Sequence, residues 1–116
     1  MVDVTTETGG PLYSIFGSDP DLGEIIELFV NEMPDRVARL LNALDAGDWE
    51  VLRRSAHQLK GAAGSYGFHP ISASAERLED ALRENEPSVE IRRTAHALVD
   101  LCNSARAGAP QQDATP

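Results

Sequence analysis

A histidine near the middle of the chain, His57, has neighbours that suit nucleophilic chemistry. On a helix, residues at i, i+3, i+4 and i+7 share one face, and counted from His57 these are Lys60, Gly61 and Gly64. Neutral imidazole is a nucleophile near pH 7 and suits reversible phosphoryl attachment. Each glycine inside a helix lowers helix stability by roughly 1 kcal/mol relative to alanine. Two glycines on one exposed face therefore suggest that a small residue is needed there. Removing the Cβ at Gly61 would let another protein approach the ring, although glycines that fray a helix end would give the same composition.

Basic side chains flank the histidine on a chain whose net charge is −9. Lys60 lies one turn after His57, and Arg53 and Arg54 lie at i−4 and i−3. A cation near the ring would offset the charge of an attached phosphate. The simple alternative for the two arginines is a solvated helix face.

The opposite stripe of the same segment predicts the helix that carries the histidine. Its apolar residues recur every three or four positions, as in a helix packed into a bundle; they are Trp49, Leu52, Ala56, Leu59, Ala63 and Tyr66. The pattern predicts a helix from Trp49 to about Ser65. Because its apolar stripe faces inward, the stripe that begins at His57 is expected to point largely to solvent.

The motif His57-x-Leu59-Lys60-Gly61, with Gly67 ten residues after the histidine, resembles the active-site helix of histidine-containing phosphotransfer (HPt) domains. Those domains relay phosphoryl groups in two-component signalling. The resemblance implies that His57 accepts a phosphoryl group from a receiver-domain aspartate and passes it to another receiver aspartate. It also implies that response-regulator receiver domains and a hybrid sensor kinase are the partners.

The resemblance extends from about Leu22 to Ala105 and assigns a role to a residue on another helix. In HPt domains the residue 22 positions after the histidine, often Gln or Glu, hydrogen-bonds the ring, and here that position is Glu79. Glu79 is therefore expected to orient the imidazole, with an exposed surface acid as the alternative. Lys60 is expected to offset phosphate charge. The residues expected to contact the receiver are Arg53, Arg54, Gly61 and Gly64.

The segments around this helix predict an all-α, antiparallel up-down-up-down four-helix bundle. The first helix is expected from about Asp21 to Ala46, as one helix bent at Pro34, with two shorter helices as the alternative. Gly47 ends it and Asp48 caps the next, a connection so short that the two helices must pack antiparallel. A third helix is expected from Pro70 to about Asn85, and a fourth follows Pro87. Their inward residues are Ile71, Ala75, Leu78, Leu82, Ile91, Ala95, Leu98, Cys102 and Ala105.

The ends of the chain lack this pattern. We expect a flexible tail at residues 1–10, the bundle at 11–107 and a disordered tail at 108–116. An apolar patch between Leu12 and Phe16 is expected to form a short helical turn over the end of the bundle. No segment predicts a strand.

The composition of the chain argues against several classes of function and partner. The acidic net charge argues against nucleic acid or an anionic membrane as the main partner. No apolar run is long enough to span a membrane, and the single cysteine, Cys102, suits a reducing compartment, so a soluble, cytoplasmic protein is expected. We also expect a monomer. There is no Gly-rich phosphate loop with its lysine, so we expect neither ATP binding nor self-phosphorylation. No cofactor is expected, because Mg²⁺ and the acceptor aspartate would come from the receiver.

Two other functions fit parts of the pattern. A metal-binding bundle could use His57 and carboxylates, but it would need inward-facing Glu-x-x-His pairs, which the sequence lacks. A non-catalytic docking module could keep the HPt fold without phosphotransfer. The intact His57 and Lys60 speak against that second alternative.

Overall fold

The computed structural model describes residues 10–109, which form five helical segments and two very short strands. In chain order they are β1 (Leu12–Tyr13), α1 (Gly23–Asn31), α2 (Met33–Ala46), α3 (Trp49–Ser65), α4 (His69–Arg83), α5 (Ser88–Ser104) and β2 (Ala105–Arg106). Helix α3 packs most extensively on α4, α4 packs on α5, and α2 contacts both α3 and α5. These contacts close a bundle of α2 to α5, which confirms the predicted all-α four-helix fold.

Helices α2, α3 and α4 are each followed by a left-handed residue that helps to reverse the chain. Gly47, Gly67 and Asn85 have φ angles of 66°, 83° and 56°. In each case the next residue donates its N–H to a carbonyl in the last helical turn, as in a Schellman motif; the pairs are Asp48 to Ala43, Phe68 to Ala63 and Glu86 to Ala81. The Asp48 side chain also accepts a hydrogen bond from the Val51 N–H at the start of α3. The predicted connection between α2 and α3 is thereby confirmed.

The helix predicted as one bent helix is divided at Glu32 into α1 and α2. Glu32 keeps right-handed helical angles (φ −83°, ψ −8°), and Pro34 lies in the first turn of α2. Proline has no N–H to continue the hydrogen-bond ladder, so the regular helix is interrupted just before it. The structure therefore matches the alternative of two shorter helices.

The apolar patch near the N-terminus begins as a strand instead of the predicted helical turn. Leu12 and Tyr13 pair in parallel with Ala105 and Arg106. Tight turns follow, and Ile15 donates its N–H to the Gly67 carbonyl, so the segment does lie over the end of α3. Strands of two residues are too short to produce an alternating pattern, which is why the sequence did not predict them. Most of the predicted tails, 1–9 and 110–116, lies outside the described residues.

The core consists of the inward stripes that periodicity predicted, with one exception in α1. All of the inward residues named above for α4 and α5 are buried. Ile25, which broadens the apolar stripe of the first predicted helix and was expected to face inward, is 44% exposed. Phe29 of α1 packs its ring against Tyr66 and Phe68 at the end of α3, with centroids 5.2 Å and 5.5 Å apart. Burial raises the pKa of the Cys102 thiol to about 12, so it behaves as a core residue. None of the helices within residues 10–109 has the length and apolar character needed to cross a membrane.

Candidate functional site

His57 projects from the exposed face of α3 toward one residue of α4. Its side chain is 62% exposed, while Ala56 and Leu59 beside it anchor the helix in the core. The ring nitrogen Nδ1 lies 2.8 Å from the Oε2 oxygen of Glu79. Within residues 10–109, Nε2 forms no hydrogen bond. One ring nitrogen is thus held by the protein and the other is available.

Glu79 is a buried carboxylate between two cations. Its side chain is 1% exposed, although the sequence places it among the acidic residues of α4. Lys60 Nζ lies 3.0 Å from Oε1, and the Arg83 guanidinium lies 2.8 Å from Oε2. The lysine contact is an ion pair between two helices. A buried charge needs such partners, since transfer of an unpaired carboxylate from water is very costly.

The surroundings of Glu79 fix which nitrogen of His57 carries hydrogen. Burial alone raises the pKa of Glu79, but its contacts with Lys60 and His57 outweigh burial, and the net pKa lies below its ordinary value. An ionised carboxylate can only accept hydrogen bonds, so Nδ1 must be the donor in the 2.8 Å contact. In the neutral ring Nε2 then has a free lone pair facing solvent. This is the tautomer that a nucleophilic histidine requires.

Arg83 is the site residue that sequence analysis missed. Besides Glu79 it contacts Asp80, with its second guanidinium nitrogen 3.2 Å from Oδ1. The available signal was the spacing, because an acid four residues before an arginine on a helix favours an ion pair. The sequence could not show that this acid faces the histidine of another helix.

The two glycines of the histidine face have different surroundings. A Cβ built on Gly61 would meet nothing within 4 Å, so the surface beside His57 is open there. A Cβ on Gly64 would lie 3.3 Å from the hydroxyl of Ser72 on α4. That hydroxyl donates a hydrogen bond of 2.9 Å to the Lys60 carbonyl. Gly64 therefore lies against α4, and the expectation that it points largely to solvent is wrong.

The two arginines that precede His57 both contact one acid of their own helix. Arg53 lies 3.1 Å and Arg54 3.7 Å from the Glu50 carboxylate. Exposed pairs of this kind contribute little stability, so either guanidinium can turn to another anion at small cost. The patch remains basic but is partly neutralised by Glu50.

The other histidines lack such surroundings. His69 and His96 are exposed, and neither forms an ion pair with an acid in the part of the chain that the structure describes. Within that part, no three His, Cys, Asp or Glu side chains are grouped so that they could hold a metal ion. His57 alone combines a buried acceptor, a nearby ammonium group and an open flank.

The candidate site is thus an exposed histidine on a helical bundle, whose inner nitrogen donates to a buried carboxylate. The sequence model of the Hpt domain matches residues 24–108. The chain therefore belongs to the Hpt domain family. Histidine phosphotransfer in two-component phosphorelays is the class of function that this membership supports.

Two characterised proteins are similar to parts of the chain. Chemotaxis protein CheA of Rhizobium meliloti (strain 1021) is 33% identical over 105 residues, covering 76% of this chain and 14% of that protein. Phosphotransferase RcsD of Escherichia coli (strain K12) is 36% identical over 64 residues, covering 54% of this chain and 7% of that protein. The chain thus spans a small part of each relative. No solved structure matches it at a comparable level.

Substitutions at Gly61 should separate helix stability from access to the ring. Gly61→Ala meets no neighbour and should stabilise the fold by up to about 1 kcal/mol, because alanine is the better helix former. Phosphotransfer should nevertheless slow, and Gly61→Val should slow it further. Thermal melts and transfer rates of the Gly, Ala and Val proteins test this.

Gly64→Ala is the matched control for the Gly61 series. Its new Cβ crowds Ser72, so it should lose the stability gain without adding bulk beside His57. Transfer rates that follow stability across both series, or that do not change at Gly61, would contradict the role of Gly61 as a clearance for the partner.

The ionisation of Glu79 should make stability depend on pH in a predictable direction. Because its pKa is lower in the folded than in the unfolded chain, ionised Glu79 stabilises the fold fully above its ordinary pKa of 4.5. That stabilisation is lost as the pH falls through the lower folded value. Urea unfolding from about pH 7 to about pH 3 should show that the wild-type protein loses more stability than Glu79→Gln. The other carboxyl groups are present in both proteins, so their effect cancels in the comparison. A difference in unfolding free energy between the two proteins that does not change with pH would contradict the assignment.

Proposed function

We propose that this chain is a phosphorelay intermediate that accepts a phosphoryl group on Nε2 of His57. The observation that carries the proposal is the 2.8 Å contact between Nδ1 of the exposed His57 and the buried Glu79 carboxylate. It supports a neutral ring with hydrogen on Nδ1 and a lone pair on Nε2. Family membership supports the same chemistry.

The proposed reaction begins at a receiver domain's aspartyl phosphate. The Nε2 lone pair attacks phosphorus, an N–P bond forms, and the bond between phosphorus and the aspartate oxygen breaks. The aspartate leaves as a carboxylate, and the ring, still bearing hydrogen on Nδ1, becomes cationic. Glu79 would stabilise that positive charge through the contact already present, and the reverse attack by a second receiver aspartate would return the ring to neutrality.

The surrounding cations suit the negative charge that arrives with the phosphoryl group. Lys60 lies one turn from His57 and is 31% exposed, so its ammonium group can reach either Glu79 or a group on Nε2. Arg53 and Arg54 would contact the acidic active site of the receiver, and Gly61 would allow close approach. The packing of Gly64 on Ser72 favours a structural role for Gly64, with any contribution to docking secondary.

The proposal includes the partner proteins and the cellular compartment. Receiver domains would supply the aspartates and the Mg²⁺ that phosphoryl transfer from them requires, and a hybrid sensor kinase would stand upstream. The chain would act as a monomer in the cytoplasm. It would not bind ATP, because its role is to pass on a group that is already activated.

Incubation with phosphorylated receivers tests the function directly. Wild-type protein should acquire label that is lost in acid and kept in base, as phosphoramidates are, and should return it to an unphosphorylated receiver. Binding of receivers without any transfer of label would instead favour the non-catalytic docking module. Label that survives acid would point to a different residue.

A further inference from the structure

The buried carboxylate of Glu79 has more cationic partners than one negative charge requires. Lys60 approaches Oε1 from α3 at 3.0 Å, and Arg83 approaches Oε2 from its own helix at 2.8 Å. Oε2 also accepts the hydrogen bond from Nδ1 of His57. Because the two cations come from different helices and contact different oxygen atoms, one can leave while the other stays.

The two cations differ in the number of acids that they contact. Among the acids of residues 10–109, Lys60 contacts Glu79 alone, from the end of a flexible side chain. The Arg83 guanidinium spans two acids, with one nitrogen on Glu79 and the other 3.2 Å from Asp80. Arg83 therefore has two contacts on α4, and Lys60 has one contact, which it gives up when it turns. The Arg83 contact with Glu79 does not depend on the position of Lys60.

We propose that Arg83 is a positioning residue that keeps Glu79 ionised and aligned on Nδ1 of His57 when Lys60 turns to the phosphoryl group. The movement of Lys60 rests on the proposed function, but the redundancy of the two cations at Glu79 does not. A buried carboxylate that lost both cations would take up a proton more readily. The resulting O–H would donate to Nδ1, and the ring hydrogen would then reside on Nε2, which blocks the reacting nitrogen.

The tautomer of His57 in the unphosphorylated protein tests this directly. Histidine ¹⁵N NMR at neutral pH distinguishes a protonated from an unprotonated Nε2. Lys60→Met and Arg83→Met, each alone, should keep hydrogen on Nδ1, because the remaining cation suffices. The double variant should move a measurable fraction of the hydrogen to Nε2. Pairing Lys60→Met with Arg77→Met is the control, since Arg77 is an exposed arginine of the same helix that does not contact Glu79, and it should behave as Lys60→Met alone.

Transfer kinetics provide the second measurement. If the two cations acted independently, the fold-decreases in rate caused by the single substitutions would multiply. We expect the double variant to be slower than that product by about tenfold or more, because each cation compensates for the loss of the other. Arg83→Lys in the Lys60→Met background should restore most of the Nδ1–H form, because it returns a charge. If the methionine pair does not fold by circular dichroism, the corresponding alanine pair replaces it.

The outcomes separate this proposal from the proposed function. A double variant with an unchanged tautomer and purely multiplicative rates would overturn the role of Arg83, even if wild-type protein accepts label on His57. Wild-type protein that accepts no label, together with a shifted tautomer in the double variant, would overturn the proposed function and support the positioning role.

Discussion

Replacing His57 with glutamine should abolish phosphoryl acceptance while leaving the bundle folded. Glutamine has no nucleophilic ring nitrogen, and no other histidine lies beside a buried carboxylate in the part of the chain that the structure describes. The side chain is 62% exposed, so the free energy of unfolding should change by no more than about 1 kcal/mol. Incorporation of acid-labile label from a phosphorylated receiver measures the effect, and urea unfolding measures stability.

His69→Gln and His96→Gln are the matched controls for that result. Both remove an exposed imidazole from the same fold, and both should leave acceptance at the wild-type rate. Undiminished labelling of His57→Gln, or loss of labelling in His96→Gln, would move the acceptor to another residue.

Glu79→Ala should slow transfer about tenfold to a hundredfold while receiver affinity changes much less. The substitution removes the acceptor that holds hydrogen on Nδ1 and stabilises the cationic phosphorylated ring, and effects of this size are typical when a group that orients a functional imidazole is lost. Glu79 is 1% exposed, so it cannot contact a docked partner directly. Transfer rates measured at saturating receiver, together with a binding titration, separate the two effects.

Glu79→Gln distinguishes orientation from charge at the same position. A glutamine oxygen can still accept from Nδ1, so the tautomer should be kept, but the negative charge that balances the cationic ring is lost. Its rate should therefore lie between those of the wild type and Glu79→Ala. A Glu79→Ala protein that transfers at the wild-type rate would leave Glu79 with a purely structural role.

The local pattern of the chain determined most of the fold. Residues three and four apart in sequence predicted each helix of the bundle. Gly47 and Gly67 predicted two of the turns, because glycine adopts left-handed angles that most other residues avoid. His57, Lys60 and Gly61 could be singled out as a group for the same reason, since their relation is set within two turns of one helix. The division at Glu32 was a close alternative, because a proline permits either a bend or a break.

The local sequence pattern could not identify which residue contacts the imidazole of His57. Glu76, Glu79 and Asp80 read as one acidic stretch, and only the packing of α4 on α3 buries Glu79 and leaves Glu76 exposed. Family resemblance predicted the role of Glu79. It did not predict that Arg83 pairs with the same carboxylate or that Gly64 lies against Ser72. The sequence pattern also did not predict the two short strands, β1 and β2. Contacts between helices depend on their rotation and spacing, which residues close in sequence do not encode, and so the tertiary structure alone decided how the carboxylate, the cations and the imidazole meet.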